Sequence, residues 1–182
     1  MAGFFVPSSE RREQALFEGR YFVFTTGEQT LGSSQFLNVV MSNPANSGKR
    51  HIITKRRFDN SVVSGNAPLS YGGIALPVLY ATGTTGLVTS NGSNLTRDGV
   101  NPRPASLLTL QALVSATRLN NAAGNANPTG AGRLATGGMP TKLEESFILM
   151  PGTTFGQFIQ APAGLGASVN AGLTFYVIEE PL

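Results

Sequence analysis

The residues with the greatest potential for chemistry lie in one short stretch, "KRHIITKRR" at positions 49–57. It contains five of the chain's 13 lysine and arginine residues and the single histidine, His51. Clustered cations of this kind could bind an acidic protein partner or the phosphates of a nucleic acid. A nucleic-acid site normally adds aromatic stacking groups, and only Phe58 is adjacent here. We therefore expect a structural edge strand or a subunit contact first and an acidic protein partner second, and we expect no nucleic-acid partner.

Alternate residues of a β-strand point to opposite faces of its sheet, so the positive run divides into two sets. The sets are the odd-numbered Lys49, His51, Ile53, Lys55 and Arg57 and the even-numbered Arg50, Ile52, Thr54, Arg56 and Phe58. Both faces would carry charge, which is typical of an exposed edge strand or of a strand in contact with another subunit. On this interpretation, changing Arg56 and Arg57 to Glu would leave the chain folded and impair its assembly.

The acidic residues offer a possible counterpart to the positive run. Four of the ten form two sequence pairs, Glu144-Glu145 and Glu179-Glu180. Paired carboxylates hydrolyse glycosides when they flank a cleft about 5–10 Å across. Neighbours on a strand point to opposite faces, so neither pair can converge within itself. We expect solvated or salt-bridged carboxylates, and the last pair could meet the 49–57 run of a neighbouring subunit.

The remaining residue types exclude several kinds of chemistry. There is no cysteine, so disulfides, thiolate catalysis and cysteine metal sites are excluded. One histidine provides no two-histidine zinc motif, and no nucleophile or orienting acid is close to it in the sequence. We expect no catalytic residue, no metal and no cofactor. No apolar run is long enough for a signal peptide or a membrane helix, so we expect synthesis in a cytoplasm and no membrane contact.

The composition suits a single domain whose surface is partly covered by other subunits. The chain has 182 residues, of which 41% are hydrophobic and only 13% are charged, with a formal net charge of +3. Typical soluble domains are about 25% charged. A monomer with so few charges would be poorly soluble, so we expect a homo-oligomer.

Most of the elements that would position these residues read as strands. Residues 1–19 form an N-terminal arm or a short helix ended by Gly19, and residues 20–182 form one domain. Strand-like runs occupy 20–26, 34–41, 49–58, 73–83, 142–150, 154–161 and 167–180. In the last run, Val169, Ala171, Leu173, Phe175 and Val177 share one parity, which is typical of a half-buried strand. The sequence therefore predicts an all-β fold, an antiparallel β-sandwich or jelly roll.

Three segments fit more than one structure. Pro77 lies inside 73–83 and indicates an edge strand or a bulged strand. The run 106–119 fits helix spacing as well as a strand, and its strand-like neighbours favour the strand. Residues 120–140 are nearly all small or turn-forming, which indicates a long Gly/Asn-rich loop or an interlocking arm.

Three motifs together resemble accessory virion proteins of tailed bacteriophages. They are "NPANSGKRHIITKR", "FILMPGTTFGQFI" and the terminal "ASVNAGLTFYVIEEPL". In the resembling proteins an "NPxxSGK" turn leads into a strand, an "LPPGT"-like turn follows an apolar strand, and the last strand ends in an aromatic and acidic tail. The second motif departs at Met150, where a second proline is more usual. The match covers about 45 residues directly, and most of 34–182 by the order of the motifs.

The resemblance implies a β-sandwich or jelly-roll subunit of a virion, commonly a homotrimer, that decorates or cements the capsid shell. Its partners would be the major capsid protein or other virion proteins. The alternative is a receptor-binding or fibre-tip protein that contacts host polysaccharide through loops 65–73, 91–105 and 120–140. The residues expected to bind partners are Phe4, Phe5, Arg11, Arg12, Lys49, Arg50, Lys55, Arg56, Arg57, Arg133, Glu179 and Glu180.

Overall fold

The computed structural model describes residues 8–62, 70–76, 88–91, 93–94, 108–117, 132–133, 141–143, 147–164 and 168–182. The described residues form one helix and two antiparallel sheets, which confirms the all-β prediction. In chain order the elements are α1 (Ser8–Phe17), β1 (Tyr21–Thr25), β2 (Gln29–Leu31), β3 (Phe36–Ser42), β4 (Lys49–Val62), β5 (Ser70–Leu76), β6 (Val88–Asn91), β7 (Ser93–Asn94), β8 (Thr109–Ser115), β9 (Gly132–Arg133), β10 (Thr141–Leu143), β11 (Phe147–Leu149), β12 (Thr154–Gln160) and β13 (Val169–Pro181).

The first sheet is built around the pairing of β4 with β13. Its strand order is β10-β4-β13-β1-β7, with β11 also paired to β4 and β2 also paired to β13. The β4–β13 ladder extends from Lys49 opposite Pro181 to Val62 opposite Val169. Because β10 and β11 cover the other side of β4, the positive strand lies inside the sheet. The prediction that it is an exposed edge strand is therefore wrong.

The second sheet has the order β6-β8-β3-β12-β5-β9. Its strand β8 confirms the strand interpretation for residues 109–115 of the ambiguous 106–119 run. Strand β5 ends before Pro77, which lies outside the described residues. β5 pairs with β12 along its length and with β9 at Ser70 and Tyr71, so it is not an edge strand there.

One hydrophobic core contains residues of both sheets. The five same-parity residues of β13 are fully buried, as the alternation predicts. Phe175 of β13 meets Phe155 of β12 edge to face, with ring centroids 6.3 Å apart. Leu37 and Met41 of β3 belong to the same cluster. Burying each such side chain stabilises the fold by roughly 1.5–3 kcal/mol, so contact between the sheets is a main source of stability.

Helix α1 packs on the outer face of the first sheet, the face turned away from this core. Ala15 of the helix forms a small apolar cluster with Tyr21, Ile52 and Ile178. The helix ends at Phe17 and is followed by a turn at Gly19, whose φ of 65° suits glycine, and the Arg20 N–H donates to the Ala15 carbonyl oxygen. Residues 8–17 are therefore a helix docked on their own chain. This ten-residue helix is too short and too polar to cross a membrane.

The segment 120–140 lies mostly outside the described residues. Within it, Gly132–Arg133 forms β9 and pairs with Ser70 and Tyr71 of β5. These two residues belong to the second sheet, and the prediction of a long loop or arm otherwise falls outside the described residues.

Candidate functional site

A β-bulge in β4 decides which charged side chains face the core. Tyr176 lies opposite Lys55, whereas Val177 lies opposite Ile53, so Thr54 is an extra residue in the ladder. The Thr54 hydroxyl donates to the Tyr176 carbonyl oxygen at 3.2 Å. An extra residue reverses the alternation beyond it.

The sequence-based division of the positive strand is therefore wrong beyond Thr54. Directly opposite residues of paired strands point to the same face of the sheet. Each β4 residue that lies opposite a core-facing residue of β13 therefore also faces the core. The core-facing residues are Lys49, His51, Ile53, Arg56 and Phe58, and the outward-facing residues are Arg50, Ile52, Lys55 and Arg57.

On the outer face, Glu180 joins α1 to β4. The Arg11 Nε and Nη2 atoms donate to its two carboxylate oxygens, each at 2.7 Å. The Arg50 Nε donates to Oε2 at 2.9 Å. The hydrogen bond from Arg11 lowers the pKa of Glu180, desolvation opposes the shift, and Arg50 adds to the lowering. The same hydrogen bond raises the pKa of Arg11. This cluster pins the helix to the sheet.

On the core-facing side, Glu179 binds Lys49 and His51 of the same chain. The Lys49 ammonium donates to Oε1, and His51 Nε2 lies 3.1 Å from Oε2. Glu179 is 6% exposed and His51 is completely buried. A histidine held by a carboxylate can act as a general base only where it reaches a substrate. With no exposed surface on His51, this arrangement fastens β4 to β13.

The two glutamates thus face opposite sides of β13, as the alternation predicts. The sequence suggested that Glu179-Glu180 would meet the positive run of another subunit, and the structure places both within reach of the run in their own chain. The sequence did not indicate Glu179 as the acid that contacts His51, because the two residues are 128 positions apart.

Arg56 is buried between the two sheets. It is 5% exposed, and its guanidinium lies over the rings of Phe147 and Phe155 at 5.0 and 5.8 Å. Its Nη1 donates to Gln157 Oε1 of β12 at 3.0 Å. The prediction that changing Arg56 and Arg57 to Glu leaves the chain folded assumes that Arg56 is exposed or interfacial, and this assumption is wrong. A glutamate at position 56 would place a carboxylate against two aromatic rings. Gln157 was not predicted as a buried partner of Arg56, although it lies on the same face of "TFGQFIQ" as Phe155 and Ile159.

Lys55 and Arg57 remain on the outer face. The Lys55 ammonium lies 5.6 Å from the ring centroid of Tyr176. Arg57 Nε donates to Asp59 Oδ1 at 2.7 Å, and both side chains are partly exposed. Arg57 and Asp59 line an open depression of about 270 Å³ together with Thr25, Gly27, Glu28 and Gly172.

The other expected partner-binding residues are placed only in part. Phe4, Phe5 and the pair Glu144-Glu145 lie outside the described residues. Arg12 is on α1 and is partly buried, and Arg133 is in β9 opposite Ser70. The structure brings Arg11, Lys49, Arg50, Glu179 and Glu180 together at one end of the β4–β13 pair.

Asn43 closes this end of the first sheet. Its Nδ2 donates to the carbonyl oxygens of Lys49 and Leu149, at 2.9 and 3.0 Å. The turn that contains it, "NPANSG", was visible in the sequence, but its role in joining β4 to β11 was not. Among the described residues, no group of histidines and carboxylates could hold a metal ion.

A comparison of the chain with protein-family models, with curated proteins and with solved structures finds no match.

Proposed function

We propose that this chain is a non-enzymatic structural subunit of a virion, a cement or decoration protein that binds and stabilises neighbouring shell proteins. The observation that carries the proposal is how the charged cluster is used. Arg11, Lys49, Arg50, Glu179 and Glu180 fasten α1, β4 and β13 to one another. Ion pairs within the chain make the subunit rigid, and a subunit that must withstand mechanical force on the shell needs rigidity.

The fold supports the same proposal. Two antiparallel sheets that share one core are the basis of a β-sandwich, and we propose a sandwich or jelly roll. With 13% charged residues, the surface suits extensive neutral contacts with copies of the chain, in a trimer by our proposal, and with other shell proteins. Several contacts of ordinary size per subunit would hold it firmly by avidity.

The copy number in purified particles tests the proposal. Quantitative mass spectrometry of particles from cells that make this chain should find it at a copy number comparable to that of the main shell protein. Electron microscopy should place it over the whole shell. A chain that is missing from the particles, and is recovered only in the soluble fraction, would refute a structural role in the virion.

A second candidate is an attachment protein that contacts host polysaccharide. The observation that favours it is the open depression beside Arg57 and Asp59, where a guanidinium, a carboxylate and the Thr25 hydroxyl are close together. Such groups suit the hydroxyls of a sugar. A few copies at the tail of the particle, together with binding to host cells that Arg57→Ala weakens, would favour attachment over cement.

A further inference from the structure

The open depression lined by Arg57 and Asp59 lies on the outer face of the first sheet, beyond the part that α1 covers. The helix packs at Tyr21, where β1 begins, whereas the depression lies at Thr25, where β1 ends. Thr25 lies opposite Thr174, which lies opposite Arg57. This row therefore shares a face with the helix but is open to a ligand.

Backbone atoms, rather than flexible side chains, form one wall of the depression. A Cβ placed on Gly172 of β13 would lie 2.8 Å from the Gly27 carbonyl oxygen, so the β1–β2 connection is held close against the sheet. Gly27 has a φ of 65° and faces open space, since a Cβ placed on it would meet nothing within 4 Å. The volume of about 270 Å³ is just below the roughly 300–1,000 Å³ of pockets for drug-sized ligands, which suits one small unit.

The pair of Arg57 and Asp59 offers both a donor and an acceptor to a ligand. Arg57 Nε donates to Asp59 Oδ1, and neither the terminal guanidinium nitrogens nor Asp59 Oδ2 has another partner in the described part of the chain. The guanidinium can only donate and the carboxylate can only accept. A hydroxyl group does both, so one hydroxyl can accept from Arg57 and donate to Asp59.

Thr25 supplies a second donor. Its hydroxyl oxygen accepts from the Gly27 N–H at 3.1 Å and from the Thr174 hydroxyl at 3.3 Å. Because these bonds use the lone pairs of the oxygen, the Thr25 proton is left to donate to a ligand. A sugar ring carries several neighbouring oxygens and can meet both this donor and the pair of Arg57 and Asp59.

The charges of the lining favour an uncharged sugar. The lining contains one cation, Arg57, and two carboxylates, Asp59 and Glu28. An acidic sugar would be repelled by the two carboxylates, and an ammonium group would be repelled by Arg57. An uncharged ring satisfies the unused donors and acceptor without such a cost.

Aromatic stacking contributes little to this site. Tyr176 is two residues from Thr174 on the same face, but its ring stacks on Tyr21 with centroids 6.3 Å apart and has the Lys55 ammonium at 5.6 Å. Recognition would therefore rest on hydrogen bonds. A single site of this kind binds weakly, and several copies on one particle would strengthen attachment by avidity.

We propose that this depression binds one uncharged sugar residue of a polysaccharide. Arg57 and Asp59 share one hydroxyl of the ring, and Thr25 donates to a neighbouring oxygen. The inference rests on the attachment role given above as the second candidate function, and it adds the class of sugar and the residues that select it.

Backbone amide spectra of the purified chain test the site directly. At least one of the uncharged methyl glycosides of glucose, galactose and mannose should shift the amide signals of Gly27, Glu28 and Gly172 in a saturable way. Glucuronate and N-acetylneuraminate, which carry a carboxylate, should bind more weakly. No saturable shift with any of the three glycosides, or tighter binding of an acidic sugar, would overturn the inference.

Two variants and a matched control test the hydrogen bonds. Thr25→Val removes the hydroxyl and keeps the shape of the side chain, so it should raise the Kd for the glycoside about five- to tenfold. Arg57→Lys keeps the charge, removes the guanidinium donors and should weaken binding to a similar extent. The control is Thr30→Val, because Thr30 is equally exposed and its hydroxyl donates to Asn170 outside the depression.

The control should leave the Kd unchanged. The same Kd for Thr25→Val and Thr30→Val would contradict binding in the depression, and so would a Kd that neither Thr25→Val nor Arg57→Lys alters.

These outcomes are separate from those that test the proposed function. A chain that binds an uncharged glycoside but covers the whole shell would refute the attachment role and leave the sugar site standing. A chain found at the tail that binds host cells only through acidic sugars would refute the inference and leave the attachment role standing.

Discussion

Glu180 binds arginines from two elements, so its protonation should affect the docking of α1. Its pKa is lowered by Arg11 first and by Arg50 as well, against desolvation. The stability that it contributes is therefore fully present above the ordinary glutamate value of 4.5 and is lost as the pH falls through the lower pKa of the folded state.

We expect Glu180→Gln to lower the free energy of unfolding by about 1–2 kcal/mol at neutral pH, since it removes charge-assisted hydrogen bonds whose arginines are partly solvated. The deficit should shrink as the pH falls below 4.5, because the wild-type carboxylate then becomes neutral too. Urea unfolding of both proteins at several pH values measures this. A deficit that stays constant into acid would contradict the ion-pair explanation. Glu28→Gln, at an exposed position, is the control.

Arg56 and Lys55 are neighbours in sequence that should respond very differently to truncation. Arg56→Ala removes a buried side chain that lies over two rings and binds Gln157, so we expect a loss of about 3 kcal/mol. Lys55→Ala, on the outer face, should change stability by less than about 1 kcal/mol. Denaturant midpoints compare the two. Equal losses would mean that the bulge does not separate their environments.

The difference between these neighbours could not be read from the sequence. Strict alternation assigns Arg56 to the face of Thr54 and Phe58, and nothing in "KRHIITKRRF" marks Thr54 as an extra residue. The bulge follows from the pairing of β4 with β13, which is a long-range contact. In contrast, the β13 alternation was predictable, because a strand buried on one face shows its pattern locally.

At the scale of elements, the sequence predicted the positions of most strands but not which strands pair with one another in the sheets. Aromatic and β-branched runs located β1, β3, β4, β12 and β13, since each buries at least one face. The position of β4 inside the sheet depends on β10 and β11, which are more than 80 residues further along the chain. Charged residues on both faces of β4 predicted an edge strand. The same pattern also suits a strand inside the sheet whose charged residues form ion pairs within the chain.

Gly172 in β13 permits the close approach of the β1–β2 connection. A Cβ placed on it would lie 2.8 Å from the Gly27 carbonyl oxygen, so the backbone would have to move. We expect Gly172→Ala to destabilise the fold by about 1–3 kcal/mol, although alanine normally suits a strand better than glycine.

Gly32→Ala is the matched control for this substitution. Its added Cβ would meet only the flexible end of the Gln35 side chain, at 3.3 Å. Thermal unfolding of the two variants should therefore show a clear loss for position 172 and a small change for position 32. A neutral Gly172→Ala would mean that residues 26–28 readily shift away from β13.

For the molecule as a whole, the two sheets should fold without the helix. The helix contacts the outer face through one small cluster and the Glu180 ion pair, whereas the main core lies between the sheets. We expect a chain that begins at Gly19 to keep its β-type circular dichroism, to lose about 2–4 kcal/mol of stability and to bind a hydrophobic dye at Tyr21, Ile52 and Ile178.

Phe17→Ser is the control for the truncation, because Phe17 is 66% exposed. It should change the denaturant midpoint only slightly. A truncated chain with no β-signal would show that the helix is needed to form the first sheet.

The bulge at Thr54 also bears on how β4 and β13 find each other during folding. Tyr176 is 122 positions from Thr54, so the pairing of the two strands closes a long loop, and local sequence does not fix its phase. A ladder that closed on Ile53 and continued without the extra residue would turn Lys55 and Arg57 toward the core and Arg56 to the solvent. Two cations would then be buried without the contacts that Arg56 makes. The extra residue therefore favours the phase of pairing in which Arg56 is buried with partners and Lys55 and Arg57 stay on the outer face.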